Sequence, residues 1–99
     1  METLIIGRHN MDLIQRYKIN KDKVTYRIID AEAVILNLDN GYYYSLNEVG
    51  TKIWQMIEKR KQLIEILSFL SEQYQVDKKR LRGDLIGLVK DLKKEKLIE

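Results

Sequence analysis

The hydrophobic period of this 99-residue chain switches from strand-like to helix-like between Leu46 and Asn47. Before that point, Tyr42-Tyr43-Tyr44-Ser45-Leu46 favours an extended backbone, because aromatic side chains pack well on a pleated surface. After it, Val49, Ile53, Met56 and Ile57 fall on one face of a helix, with Trp54 on the flank. Asn47 suits the junction: its side chain can accept from the free N–H groups of a first helical turn, and Glu48 complements the helix dipole. Upstream, Asn40-Gly41 is a strong hairpin signal, since both residues tolerate the positive φ of a tight primed turn. Residues 39–54 therefore read as turn, strand, cap and helix, with Leu46 at the corner.

The rest of the chain is built around that junction. Val24 to Ile29 is β-branched and alternates imperfectly, and Asp30-Ala31-Glu32 connects it to Val34–Leu38. The latter run is nearly all apolar, which suggests burial on both faces or a central position in a sheet. The turn at Asp39–Gly41 returns the chain through Tyr42–Leu46, completing an antiparallel meander. Glu58-Lys59-Arg60-Lys61 closes the first helix. Leu63, Ile66, Leu67, Leu70 and Tyr74 define a second, Gln75-Val76 breaks it, and Asp77 caps a third with a stripe of Leu81, Leu85, Leu88 and Leu92 that runs to Lys94. The tail Leu97-Ile98 is expected to fold back onto the core. The fold class is α+β: a three-stranded antiparallel sheet followed by three helices, winged-helix-like. Residues 1–23 form a partly ordered N-terminal arm in which Leu4–Ile6 could pair as a strand and Met11, Leu13 and Ile14 could cover a core edge. Residues 24–99 form the domain.

Several function classes are excluded or disfavoured. With no cysteine there is no thiolate nucleophile, disulfide or cysteine metal site. The lone histidine, His9, sits in a polar stretch, so neither a metal site nor a cofactor is expected. No nucleophile–base pair or catalytic carboxylate pair stands out, and the chain is read as non-enzymatic, with no catalytic residue. Asp77, Asp84 and Asp91 recur every seven residues, a pattern read as a solvated flank rather than a cation site. Nothing approaches a secretory segment or a membrane span, so a cytoplasmic location is expected. The net charge of +3 lies wholly in residues 47–99, where twelve basic side chains face nine acidic ones, while residues 1–46 balance at six and six. A winged-helix nucleic-acid-binding role is the alternative this charge keeps open, although the Asp39-Asn40-Gly41 tip is acidic where a basic wing would be needed.

Two surfaces are candidates for binding. On a wheel of the third helix, Val89, Arg82, Lys93, Ile86, Lys79 and Lys90 follow one another around one flank, and Asp84, Asp91 and Glu95 occupy the other. Apolar side chains among cations make a wall suited to an extended, partly acidic peptide. The third strand, from Tyr42 to Leu46, has a single neighbour and no guarding lysine or proline, and such an edge can accept an added strand. Tyr42, Tyr44 and Leu46 should point to the core side, with Tyr43 and Ser45 opposite. The same edge could pair with a second copy, so monomer and homodimer both remain open. Gly83 and Gly87 within the third helix suggest the close approach of another element, either of this chain or of a partner.

The spacing of Asn40-Gly41, Tyr42–Tyr44, Leu46-Asn47, Gly50, Ile53-Trp54, Tyr74, Val76-Asp77, Asp84-Leu85, Leu92 and Leu97-Ile98 resembles the PqqD-like family over residues 24–99. These are leader-recognition domains of ribosomally made, post-translationally modified peptide pathways. Within the family, the pattern is closer to the free-standing partners of lasso-peptide proteases. The resemblance implies a non-catalytic, peptide-binding adaptor that binds the leader segment of a precursor peptide beside the third strand and presents it to a modifying enzyme or leader peptidase. Carried onto this chain, it implies Tyr42, Tyr43, Tyr44 and Ser45 as the pairing edge and Arg82, Ile86, Val89, Lys90 and Lys93 as the groove wall. The glycine that the family usually has between its first two helices is missing at Lys59–Gln62.

Overall fold

A computed structural model describes residues 13–99. The expectations for Leu4–Ile6, His9 and Met11 lie outside those residues. The elements follow as β1 (Val24–Ile29), β2 (Glu32–Asn37), β3 (Tyr43–Leu46), α1 (Glu48–Glu58), α2 (Leu63–Gln73) and α3 (Lys78–Lys94). Both strand pairings are antiparallel, in the order β1-β2-β3. The expected three strands and three helices are therefore present, with β2 central.

The two hairpin turns exchange the roles expected for them. β1 and β2 are joined by Asp30 and Ala31 alone, with φ of 51° and 67°, so the two-residue primed turn falls here. Between β2 and β3, residues 38–42 form a five-residue loop in which Gly41 (φ 75°) has a positive φ and Asn40 does not. This loop is organised by Asn37. Its buried side chain accepts from the N–H groups of Asp39 (2.9 Å) and Asn40 (3.3 Å). Its carbonyl accepts from Gly41 N–H at 2.8 Å. A side chain that satisfies several loop amides outcompetes a two-residue turn. As a result β2 ends at Asn37, and Leu38 is exposed rather than the last residue of a strand.

Asn47 caps α1 as expected, accepting from Gly50 N–H at 2.8 Å, an interaction worth about 1 kcal/mol. A Cβ at Gly50 would lie 3.3 Å from both the Asn47 Oδ1 and the Leu46 Cβ, so the glycine lets strand and helix meet at a sharp corner. Where the family's glycine is missing, Arg60 takes the left-handed conformation itself (φ 62°). The N–H groups of Arg60 and Lys61 then bond to the carbonyls of Ile57 and Met56, a Schellman ending without glycine. Asp77 occupies the N-cap position of α3, but its side chain makes no capping bond.

The core is one cluster drawn from β1, β2 and all three helices, with Tyr44 and Leu46 of β3 packed against it, centred on the fully buried Trp54, Ile35, Ile57, Ile66, Leu70, Leu85 and Leu97. Trp54 lies deeper than a flank position implies; Tyr26 packs edge-on against its ring at 5.4 Å. Within residues 13–23, Leu13 and Ile19 are buried while Ile14 is exposed. The segment pairs with the end of the chain: Lys18 and Glu99 exchange backbone bonds of 2.8 Å, and Asn20 N–H reaches the Leu97 carbonyl at 3.0 Å. Leu97 and Ile98 are buried, as expected for a tail folded back.

Candidate functional site

The outer edge of β3, unpaired among the described residues, can be specified group by group. Opposed residues of an antiparallel ladder alternate between exchanging backbone bonds and directing them away. Asn37 N–H donates to the Tyr42 carbonyl at 2.9 Å, so Asn37/Tyr42, Ile35/Tyr44 and Ala33/Leu46 are the bonding positions. At the last of these, a buried hydroxyl stands between the strands. Ala33 N–H donates to Thr51 Oγ1 at 2.7 Å, and the Thr51 hydroxyl donates to the Leu46 carbonyl at 3.3 Å. The N–H and C=O groups of Tyr43 and Ser45 therefore point out of the sheet. The expected edge from Tyr42 to Ser45 narrows accordingly. Tyr44 spends its main-chain groups on β2, and Tyr42 lies outside the strand with its N–H bonded to the Asn40 side chain at 2.9 Å. Tyr42 is also exposed rather than at the core edge.

Side chains on β3 alternate as expected. Tyr44 and Leu46 are half-buried on the helix side, while Tyr43 is 70% exposed on the other. That other face carries Ile29, Val34, Leu36 and Tyr43 around a shallow hollow, with Thr25 and Arg27 at its border.

α3 presents to β3 the flank opposite to the one expected. The Tyr44 hydroxyl donates to Glu95 Oε1 at 2.7 Å, and the Asn37 side-chain amide donates to the Glu95 carbonyl at 3.2 Å. Bonding to that carboxylate is the main cause that raises the pKa of Tyr44 above its ordinary value. Glu95 shares its flank with Asp84, Asp91 and, at the border of the leucine stripe, the half-buried Leu88. On the far side of the helix, the Lys93 ammonium sits 5.4 Å from the ring centre of Tyr17. Arg82 lies on that same side, half-buried with its Nε enclosed. Val89 is only 4% exposed and belongs to the core, so it cannot be a groove wall. Ile86 is half-buried and Lys90 exposed on the same turn away from β3. The nine expected site residues are thus divided: Tyr43, Tyr44 and Ser45 lie at the edge, Tyr42 is in the loop before it, and the five on α3 face elsewhere. The helical sequence shows which residues share a face but not which neighbour that face meets.

A Cβ at Gly83 or Gly87 would meet nothing within 4 Å, so no described element approaches them. Among the described residues, no group of three His, Asp or Glu side chains is placed to hold a metal ion, and no helix is long and apolar enough to cross a membrane.

The family model for coenzyme PQQ synthesis protein D (PqqD) matches residues 32–98. The chain belongs to the PqqD family. Within this fold, two solved structures are similar to it. One, described as TbiB1 in complex with the TbiA(beta) leader peptide, is 35% identical with a TM-score of 0.77, over 83% of this chain and 94% of that one. The other, lasso peptide synthetase B1 complexed with the leader peptide, is 21% identical with a TM-score of 0.78, over 85% of this chain and 98% of that one. The second likeness is one of fold. A search of curated protein sequences gives no match.

Proposed function

We propose that this PqqD-family chain is a non-catalytic adaptor that binds the leader segment of a precursor peptide by strand addition at β3 and presents it to a maturation enzyme. The observation that carries this reading is the edge at Tyr43 and Ser45, unpaired among the described residues, where the outward N–H and C=O groups match the hydrogen-bonding repeat of an incoming strand. The 35%-identical relative solved with a leader peptide supports it. The proposed site keeps the edge from Tyr43 to Ser45 and takes as its helical wall Leu88, Asp91 and Glu95, in place of Arg82, Ile86, Val89, Lys90 and Lys93. Residues 13–23 act in this reading as a brace for the domain, since their backbone bonds go to the chain end and to Leu63.

The nucleic-acid alternative needs a free basic comb, and the flank of α3 that would supply it has Lys93 over Tyr17 and Arg82 half-enclosed. Salt dependence separates the two readings, because phosphate contacts release counterions and main-chain pairing does not.

Proline at an outward-facing edge position removes a free N–H without breaking the ladder. Ser45→Pro is therefore expected to keep the melting temperature and abolish binding of a labelled TbiA(beta) leader peptide in a fluorescence-anisotropy titration. Binding retained by a folded Ser45→Pro protein would refute strand addition at β3.

A further inference from the structure

We infer that the β3–α3 groove selects a leader carrying a lysine or arginine, and that Glu95, with Asp91 one turn earlier on α3, is the specificity-determining residue. This inference rests on the leader-binding reading and adds to it the chemistry of one leader position.

A strand paired to the outward groups of Tyr43 and Ser45 places its own residue beside Tyr44 with the side chain toward the helices, because neighbouring strands share their pleat. That side chain meets the Tyr44 ring and the carboxylate to which Tyr44 is bonded. Glu95 is held there from two sides, since Tyr44 takes its Oε1 (2.7 Å) and Asn37 takes its carbonyl (3.2 Å). Its second carboxylate oxygen has no protein hydrogen bond among the described residues. Asp91, four residues earlier, is exposed on the same flank and forms no ion pair among them, whereas Asp84 is paired with Arg80 at 4.0 Å and contributes less. A fixed carboxylate bonded to the half-buried Tyr44 suits a cation on a long aliphatic stem. The stem covers Tyr44 and Leu46, and the charge reaches Glu95. An acidic side chain at that position would face Glu95 and Asp91 as like charges. A basic side chain at this position stands in place of the partly acidic peptide expected from the Arg82–Lys93 flank.

The test uses the full chain and a panel of labelled peptides based on the TbiA(beta) leader, in which each position in turn carries lysine, norleucine or glutamate. At one position, lysine is expected to bind about fivefold tighter than norleucine, as for a partly exposed ion pair, and glutamate weaker than either. Glu95→Gln keeps an acceptor for Tyr44; combined with Asp91→Asn, it should erase the lysine preference, bringing the lysine and norleucine peptides to the same affinity, while the melting temperature holds. A panel that binds with no lysine preference, or a preference that survives both substitutions, overturns the inference while leaving strand addition standing. A panel in which no peptide binds overturns the leader-binding reading, and this inference with it.

Discussion

The hydroxyl of Tyr44 donates to the carboxylate of Glu95 at 2.7 Å, joining the middle of β3 to the C-cap residue of α3. Residues 51 positions apart in sequence are thereby fixed against each other. The Asn37 side chain braces the same residue from β2, so the strand edge and the helix end form one unit. A partner strand pairing with β3 would meet an edge already held in place, which lowers the ordering cost of binding.

Thr51 is the second such joint. Its hydroxyl accepts from Ala33 and donates to Leu46 where β2 and β3 would otherwise bond directly. Thr51→Val keeps the shape and strands a buried N–H, and is expected to cost about 1–3 kcal/mol in urea unfolding. Thr51→Ser should recover most of that loss. Equal stability of the Val and Ser proteins would show that the hydroxyl is not the link.

Tyr26 predicts an alkaline signature. Burial first, and then its bond to the Glu58 carboxylate, push its pKa up to about 12 from 10.0. A group whose folded pKa is raised contributes stability in full below its unfolded pKa, and that contribution is lost as pH rises through the folded value. The difference in unfolding free energy between the wild type and Tyr26→Phe should stay constant up to about pH 10 and shrink from there toward pH 12. A difference that does not change between those limits would contradict the assignment.

Much of the fold was legible because each of the relevant signals is local. Asn47 sits next to the amides it caps, and the apolar period of β2, α1 and α3 reports burial directly. The misread positions depend on partners far along the chain. Asn40-Gly41 has the composition of a primed turn, but Asn37 organises that loop, and the primed geometry falls on Asp30-Ala31, whose composition gives little sign of it. Val89 reads as a flank residue on a wheel centred on four leucines, but the buried arc of α3 is wider than that stripe and includes it. The position of β3 at the sheet edge was legible from the strand pattern, whereas the flank of α3 beside it was not. That orientation is set by Tyr44–Glu95 on one side and Tyr17–Lys93 on the other.

Two side-chain-bearing residues in left-handed backbone follow as stabilisation targets. Ala31 (φ 67°) and Arg60 (φ 62°) occupy conformations that cost an L-residue about 1–2 kcal/mol, partly offset by the greater entropy glycine loses on folding. Ala31→Gly and Arg60→Gly are each expected to raise stability by about 0.5–1 kcal/mol in chemical denaturation. A loss of stability in both would show that those φ values are not held in solution.

The central claim is strand addition at β3, and amide hydrogen exchange followed by NMR, with and without the TbiA(beta) leader peptide, tests it most directly. Tyr43 and Ser45 have outward N–H groups and should exchange fast in the free protein and become strongly protected on binding, while Tyr44, already bonded to β2, changes little. The opposite edge of the sheet supplies the control, because the N–H groups of Tyr26 and Ile28 on β1 also point outward by the same alternation. Protection that appears at Tyr26 and Ile28 while Tyr43 and Ser45 stay fast would contradict the account.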